Sequence, residues 1–438
     1  MASSAISLQA PIGVQDNRNK IINGDFNIWQ RGLTIDVGAT GGGMTGAGAH
    51  IGTTPRSNSF VADRWRIYAN AFIGITAPDM VISRRLFDLG LPSGADNTSK
   101  WYLNIFVGNT GAEATNKVGN WGGFTCATST NGAGATDGGS WLGLIQDIED
   151  VRIFENKTCI LSFWAKSDIT NQRVAPVLKQ EFAYDGVGGT GSLLITGTTG
   201  GLGHTLDNTW RQYKTSFGIP SIEGQPALGT SGDDALQLQF ILHANTGKAG
   251  TGVTFELGGG LGKTGNISFA QVQLEQGSKG TEFDKRGYAG DVFDCQRYYC
   301  KSYALETIAG VGGSSADGRS GGSIGRSHGR VCRNTNKTTT NGGIDHNMTF
   351  PTAMRKAPYV WIYNGNNGHQ WKMLDQGSAS SSISFATSYF DADADDVQHD
   401  GIGPTETSWT IDVESTSGDS QVFCWQWEAS SELDVTTT

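Results

Sequence analysis

The feature that most constrains the fold is a period-two alternation of apolar and polar residues, repeated in short runs between Gly-rich stretches. In Leu236-Gln237-Leu238-Gln239-Phe240-Ile241-Leu242-His243, residues Leu236, Leu238, Phe240 and Leu242 share one face, opposite a wetter face of Gln237, Gln239 and His243. Trp101 to Val107 repeats the pattern with Trp101, Leu103, Ile105 and Val107, and Cys159 to Lys166 repeats it with Cys159, Leu161, Phe163 and Ala165. In Ser268 to Glu275 the expected inward residues are Ala270, Val272 and Leu274, before Gly277 breaks the run. The runs have ordinary strand lengths, about five to eight residues. Gly-rich loops at 38–48, 132–139, 186–203 and 310–325 separate them, and 63 Gly against 10 Pro in 438 residues suits turn-rich β-structure.

The expectation is therefore an all-β chain of two or three domains, each large enough to bury its own core. One segment departs from the pattern. From Gly290 to Glu306, residues Val292, Cys295 and Tyr299 fall at helical spacing, with Asp291 or Gly290 available as the cap, which predicts a short helix of about three turns. A Gly/Ser-rich run follows, and further strands are expected at Tyr359 to Tyr363, His369 to Leu374, Ser382 to Tyr389, Ser408 to Val413 and Gln421 to Glu428. The predicted organisation is an N-terminal arm (1–18), a β-sandwich (19–286), a connecting helix (287–306), a linker (307–330) and a second, smaller β-sandwich domain (331–438).

The net charge of -10 is spread over both halves without a Lys/Arg cluster, which argues against a nucleic-acid partner. No run approaches the roughly 18 apolar residues that span a bilayer, and residues 1–14 lack a secretory-signal pattern, so the expectation is a chain made in a cytoplasm that inserts in no membrane. The six cysteines form no CxxC pair and read as buried thiols.

Four blocks carry a resemblance. Ile21-Ile22-Asn23-Gly24-Asp25-Phe26-Asn27-Ile28-Trp29-Gln30-Arg31-Gly32 followed by Ala62-Asp63-Arg64-Trp65 resembles the opening of the jelly-roll, carbohydrate-binding-module-like domain of bacteriophage tail fibres and related virion proteins. Leu144 to Val151 with Thr158 to Lys166, then Trp210-Arg211-Gln212-Tyr213, are similar to its middle. Ala270 to Gly277, Phe283, Arg286 and Cys295-Gln296-Arg297-Tyr298-Tyr299 match its end in order and spacing. Phe350 to Arg355 and Trp427 to Leu433 resemble fibre tip domains more weakly. The resemblance implies a jelly-roll sandwich in a tail-fibre or receptor-binding protein of the virion, which adsorbs to host surface glycans without catalysis. It also implies a homotrimer, with residues 1–18 docking on a phage tail or capsid protein. The competing class is a head fibre or capsid decoration protein, and a polysaccharide depolymerase comes third. For the enzyme reading, no HExxH or Walker motif and no GxSxG elbow between a strand and a helix is present, and Gly258-Gly259-Gly260 leads into no helix.

Sugar recognition needs aromatic faces with amide and carboxylate neighbours. Trp121 and Trp141 flank a Gly-rich loop and are the candidate platforms, with Asn120, Asn131 and Asp137 as polar partners and Tyr184 beside Asp185 as a weaker candidate. The alternative is that each Trp caps the sandwich edge or meets a neighbouring subunit. Trp29 and Trp65 read as core, and Asp25, Asp63 and Arg64 as a structural charge or hydrogen-bond cluster. Tyr359, Trp361 and Tyr363 share one strand face, either inner surface or subunit interface, with a binding face third. Asp391, Asp393 and Asp395 could hold Ca²⁺, against a solvated acidic loop. The resemblance also leaves room for a structural Ca²⁺ elsewhere in the first domain, since related glycan-binding sandwiches often hold one.

Overall fold

The computed structural model describes residues 18–37, 59–70, 80–87, 99–107, 141–182, 192–198, 203–224, 228, 234–244, 264–309, 331–335, 344–364, 370–374, 404–413 and 421–432. In chain order the strands begin with β1 (Thr34–Val37), β2 (Ser59–Phe60), β3 (Arg66–Asn70), β4 (Met80–Leu86), β5 (Trp101–Val107), β6 (Trp141–Glu149) and β7 (Thr158–Ser167). They continue with β8 (Arg173–Glu181), β9 (Ser192–Thr196), β10 (His204–Thr205), β11 (Arg211–Gly218), β12 (Ala235–Ala244) and β13 (Gly265–Gln276). Helix α1 (Tyr288–Gln296) follows, then β14 (Tyr299–Lys301), β15 (Val331–Thr335), β16 (Ile344–Thr349), β17 (Tyr359–Asn364), β18 (Gln370–Leu374), β19 (Ser408–Val413) and β20 (Gln421–Ser430). The fold is all-β in class, and α1 is neither long nor apolar enough to cross a membrane.

Two antiparallel sheets build the larger sandwich. The first runs β1-β4-β5-β13-β7-β11, and the second β10-β8-β12-β6-β3-β2 with β9 added on β8. Alternation explains the core between them. Leu103, Ile105, Leu161, Phe163 and Phe269 of the first sheet meet Ile67, Leu144, Leu178, Leu236, Leu238 and Phe240 of the second. Phe240 makes an edge contact with Phe163 at 4.9 Å and lies 5.1 Å from Phe269.

Three expectations need correction. In β13 the inward residues are Ile267 and Phe269, then Val272 and Leu274, and Ala270 is outside this core cluster. A bulge between Ala270 and Gln273, with Gln271 at φ 48°, inserts a residue and shifts the alternation by one. In β12 the second face is not wet: Gln237 and Gln239 are 4% and 7% exposed, and Gln237 Nε2 donates to Asp147 Oδ1 at 2.7 Å. The predicted helix is also shorter than Gly290 to Glu306. It starts after Gly287, turns Asp291 and Cys295 inward, and stops at Gln296. Tyr299–Lys301 then pairs with Glu428–Ser430 as a strand, so sheet pairing takes residues that helical spacing alone had assigned to the helix.

The opening block is a brace for this sandwich. Asn23, at φ 55°, accepts the Ile28 N–H at 3.0 Å through Oδ1 and donates from Nδ2 to the Ile28 and Asp63 carbonyls. Trp65 Nε1 donates to the Asn23 carbonyl at 3.0 Å and Trp29 Nε1 to that of Phe26 at 2.8 Å, so both rings are core, as expected. Gln30 fixes Asp63 through its backbone and side-chain N–H groups.

The C-terminal β-region has a five-stranded sheet, β14-β20-β17-β18 with β15 on β20, and the pair β16-β19. Trp427 of β20 meets Trp409 of β19 at 6.0 Å and Phe350 at 5.7 Å. The expected strand at Ser382 to Tyr389 lies outside the described residues. Cys159, Cys295 and Cys300 are buried thiols, and burial pushes all three above the usual thiol range.

Candidate functional site

The outer face of the first sheet carries an open groove of about 540 Å³. Backbone register explains which residues meet there. Ser83 pairs with Asn104, Asn104 with Ser268, and Ser268 with Lys166, so one row of side chains crosses β4, β5, β13 and β7. One step along, Arg85 pairs with Tyr102. Because Leu103, Ile105 and Phe269 turn inward, Tyr102, Asn104 and Ser268 must turn outward.

The polar floor is preorganised. Ser268 Oγ donates to Asn104 Oδ1 at 2.8 Å, Asn104 Nδ2 to Asn266 Oδ1 at 2.9 Å, and Asn266 Nδ2 to Asp168 Oδ2 at 2.8 Å. Asp168 Oδ1 accepts the Asn266 backbone N–H at 2.5 Å. The aromatic wall is Tyr102, backed by Phe87 at 4.9 Å and by the edge of Trp210 at 5.2 Å, while Phe87 and Trp210 lie 5.3 Å apart. Lys166 Nζ stands 5.1 Å from the Trp210 ring centre and 5.8 Å from that of Tyr102. Arg85, Leu86 and Asn208 complete the rim. An apolar ring face beside a row of fixed amides can hold a polyhydroxylated ring: C–H groups lie on the aromatic surface and hydroxyls exchange hydrogen bonds with the amides.

Trp121, Asn120, Asn131, Asp137 and Tyr184 lie outside the described residues. Trp141 opens β6 opposite Ala244 and Asn70, in the second sheet, whereas the groove is on the first. Asp391, Asp393 and Asp395 also lie outside the described residues, and among the described residues no group of three or more His, Cys, Asp or Glu could hold a metal. Tyr359 is exposed beside Trp361, at 6.2 Å between ring centres, and Trp361 packs on Tyr303 and Ala309. The sequence signal for the groove lies in Trp101 to Val107, where alternation turns Tyr102 and Asn104 outward, opposite the core set.

A second concentration of charged groups is enclosed by protein and reads as structural. Glu432 forms ion pairs with Arg64 and, at 3.4 Å, with Arg31. Those guanidinium groups stack on Tyr298 at 3.4 Å and Tyr299 at 3.7 Å. Arg64 also donates to the Asp147 carbonyl at 2.6 Å, and burial raises the Asp63 carboxyl against the pull of Arg31. Lys301 donates to the carbonyls of Gln30 and Thr307, and burial lowers its ammonium to about 7.

No family model and no curated protein sequence matches the chain. Among solved structures, the enzymatically active domain of tailspike protein 4 from bacteriophage CBA120 is similar at 13% identity and TM-score 0.24, over 49% of this chain and 19% of that one. The N-terminal cellulose-binding domain of a Cellulomonas fimi β-1,4-glucanase is similar at 15% identity and TM-score 0.22, over 43% and 87% of the two chains. A family 11 carbohydrate-binding module of a Clostridium thermocellum cellulase is similar at 12% identity and TM-score 0.23, over 52% and 99%.

Proposed function

We propose that this chain is a glycan-binding virion protein of the tail-fibre or receptor-binding kind, with the groove on the first sheet as its sugar site. The observation that carries the binding half of this reading is the groove's composition: Tyr102 beside the hydrogen-bonded row Ser268, Asn104 and Asn266, on a rigid sheet rather than a loop. The virion half rests on the four sequence blocks. Attachment through residues 1–18, trimer formation and adsorption to a host glycan are parts of the same proposal, since several copies would raise a weak single-site affinity. Binding without catalysis is favoured by the carboxylate supply. Glycoside cleavage uses two carboxyl groups flanking the bond, and Asp168, the lone carboxylate lining the groove among the described residues, is already held through both oxygens.

Glycan-array binding of the full chain is the test. Tyr102→Ala and Trp210→Ala should each weaken binding about tenfold, as loss of an aromatic contact worth about 1 kcal/mol or more predicts. Full binding by the double variant would move the site off this groove. A wild type that adsorbs to no glycan would favour a purely structural role such as capsid decoration.

A further inference from the structure

The groove is positively charged in a chain whose net charge is -10, and this identifies the class of sugar it takes. Of its basic residues, Arg84 is already used: Nη2 pairs with Glu306 at 2.6 Å, Nη1 donates to the Asn27 carbonyl at 3.1 Å, and the guanidinium stacks on Trp101 at 4.2 Å. Arg85 and Lys166 are different. Arg85 donates from Nε to Ser83 Oγ at 3.1 Å and forms no ion pair among the described residues. Lys166 leans on the Trp210 and Tyr102 rings and likewise has no carboxylate at ion-pair distance among the described residues. Asp168 offsets one of these two charges, its oxygens turned to the Asn266 N–H groups, so the groove stays net positive.

Arg85 on β4 and Lys166 on β7 are three strand spacings apart, roughly 14 Å between backbones, with Tyr102, Asn104 and Ser268 between them. The Lys166 ammonium nevertheless reaches to 5.8 Å from the ring centre of Tyr102, the cross-strand partner of Arg85, so two cations flank one aromatic face beside an amide row, which suits a sugar that carries an oxyanion. Resting on the reading above, we propose that the groove binds an anionic polysaccharide, with its carboxylate or sulfate oxygens on Arg85 and Lys166 and a sugar face on Tyr102. Arg85 offers a planar fork to an oxyanion, and Lys166 a point charge held in place by its rings.

The test is calorimetric titration of the full chain with polygalacturonate and its carboxyl-reduced form, with dextran sulfate and dextran, and with a panel of neutral glycans. The expected result is that at least one anionic polymer binds roughly tenfold more tightly than its neutral counterpart, with Arg85→Gln and Lys166→Gln each removing about that factor and flattening the salt dependence. The carboxylate and sulfate arms distinguish the two oxyanions. Equal affinity within both pairs, or binding to neutral glycans alone, overturns the inference and leaves the sugar site standing. A charge preference that survives in the double variant places the anion elsewhere and also overturns it. Binding to none of the polymers, charged or neutral, overturns the glycan reading together with this one. Thermal melting of the variants at the wild-type temperature separates loss of charge from loss of fold.

Discussion

At Asp25 and Asp291 the fold holds two carboxyl groups out of water without completing their hydrogen bonds. Both residues are almost fully buried, at 2% and 3% exposed, and Oδ1 of each lacks a partner. Asn27 donates to Asp25, Lys285 attracts it, and the Asn23 backbone N–H and Arg286 favour the Asp291 anion. Burial outweighs these, raising Asp25 from 3.8 to about 6, and burial with repulsion from Asp25 and Asp294 raises Asp291 to about 7. A raised carboxyl binds its proton more tightly folded than unfolded. The pair's contribution to stability is thus fully present below the unfolded value of 3.8 and is lost as pH rises to about 7. Asp25→Asn should accordingly stabilise the protein by about 2–3 kcal/mol at about pH 8 and by almost nothing near pH 4, as urea denaturation at the two pH values would measure. An equal effect at both would mean that packing, not ionisation, sets the difference. A hydrogen-bond or charge cluster at Asp25 was legible from the polar residues beside Phe26. Its meeting with Asp291 was not, because no local pattern links the opening block to a helix 266 residues downstream.

Among the elements, β13 shows how the opening block serves the sandwich. Its bulge leaves the ladder open at Gln271 and Val272, and residues 19–24 fill the gap: Asn19 Nδ2 donates to the Val272 carbonyl at 3.1 Å, Val272 N–H donates to the Gly24 carbonyl at 2.8 Å, and Leu274 N–H donates to Asn19 Oδ1 at 3.1 Å. Gly24 is required by space, since a Cβ there would stand 2.2 Å from the Val272 carbonyl oxygen. Gly24→Ala should cost about 1–3 kcal/mol, the usual price of overpacking, whereas Gly287→Ala, where a Cβ meets nothing within 4 Å, should be close to neutral. Equilibrium unfolding of the two variants checks this, and equal stability would mean that the block can step away from β13 without loss. Strands β5, β7 and β12 had legible core faces because alternation holds through their core residues, in β12 from Leu236 to Leu242, beside the irregularity between Ile241 and His243. The phase change in β13 was not legible, as nothing in Phe269-Ala270-Gln271-Val272 marks which residue takes the left-handed conformation. The groove was hidden for a related reason: it is a row across four strands drawn from residues 83–85, 102–104, 166–168 and 266–268, and register, not sequence proximity, assembles it.

Across the whole molecule, the sequence blocks that stand out most converge on one joint. Arg31 and Arg64 both belong to the opening block, Tyr298 and Tyr299 close the last, and Glu432 comes from the C-terminal segment. Each Arg lies between a Tyr ring and the Glu432 carboxylate, so one anion holds two cations of the sandwich against the C-terminal sheet that β14 and β20 form. Arg64 does this at φ 69°, a conformation that a long side chain adopts only where its surroundings compensate the strain. The blocks therefore stood out in the sequence while their joint purpose was not legible, because their shared partner lies 368 residues from Arg64. Glu432→Gln keeps the shape and removes the charge, leaving buried Arg31 with Asp63 at 3.8 Å and Arg64 with the Asp147 carbonyl. Breaking a buried pair in this way should cost about 3–5 kcal/mol, whereas Asp207→Asn at the exposed Arg211 pair should leave stability almost unchanged. Scanning calorimetry should show the Glu432→Gln protein melting earlier and in two steps, the sandwich and the C-terminal sheet no longer unfolding together. The glycan binding proposed for the groove should be unaffected below the first transition, because the groove's own hydrogen bonds and ring contacts lie within the first sheet and its rim. A single transition at the wild-type temperature would mean that the joint is held by sheet pairing alone and that Glu432 only neutralises the two Arg residues.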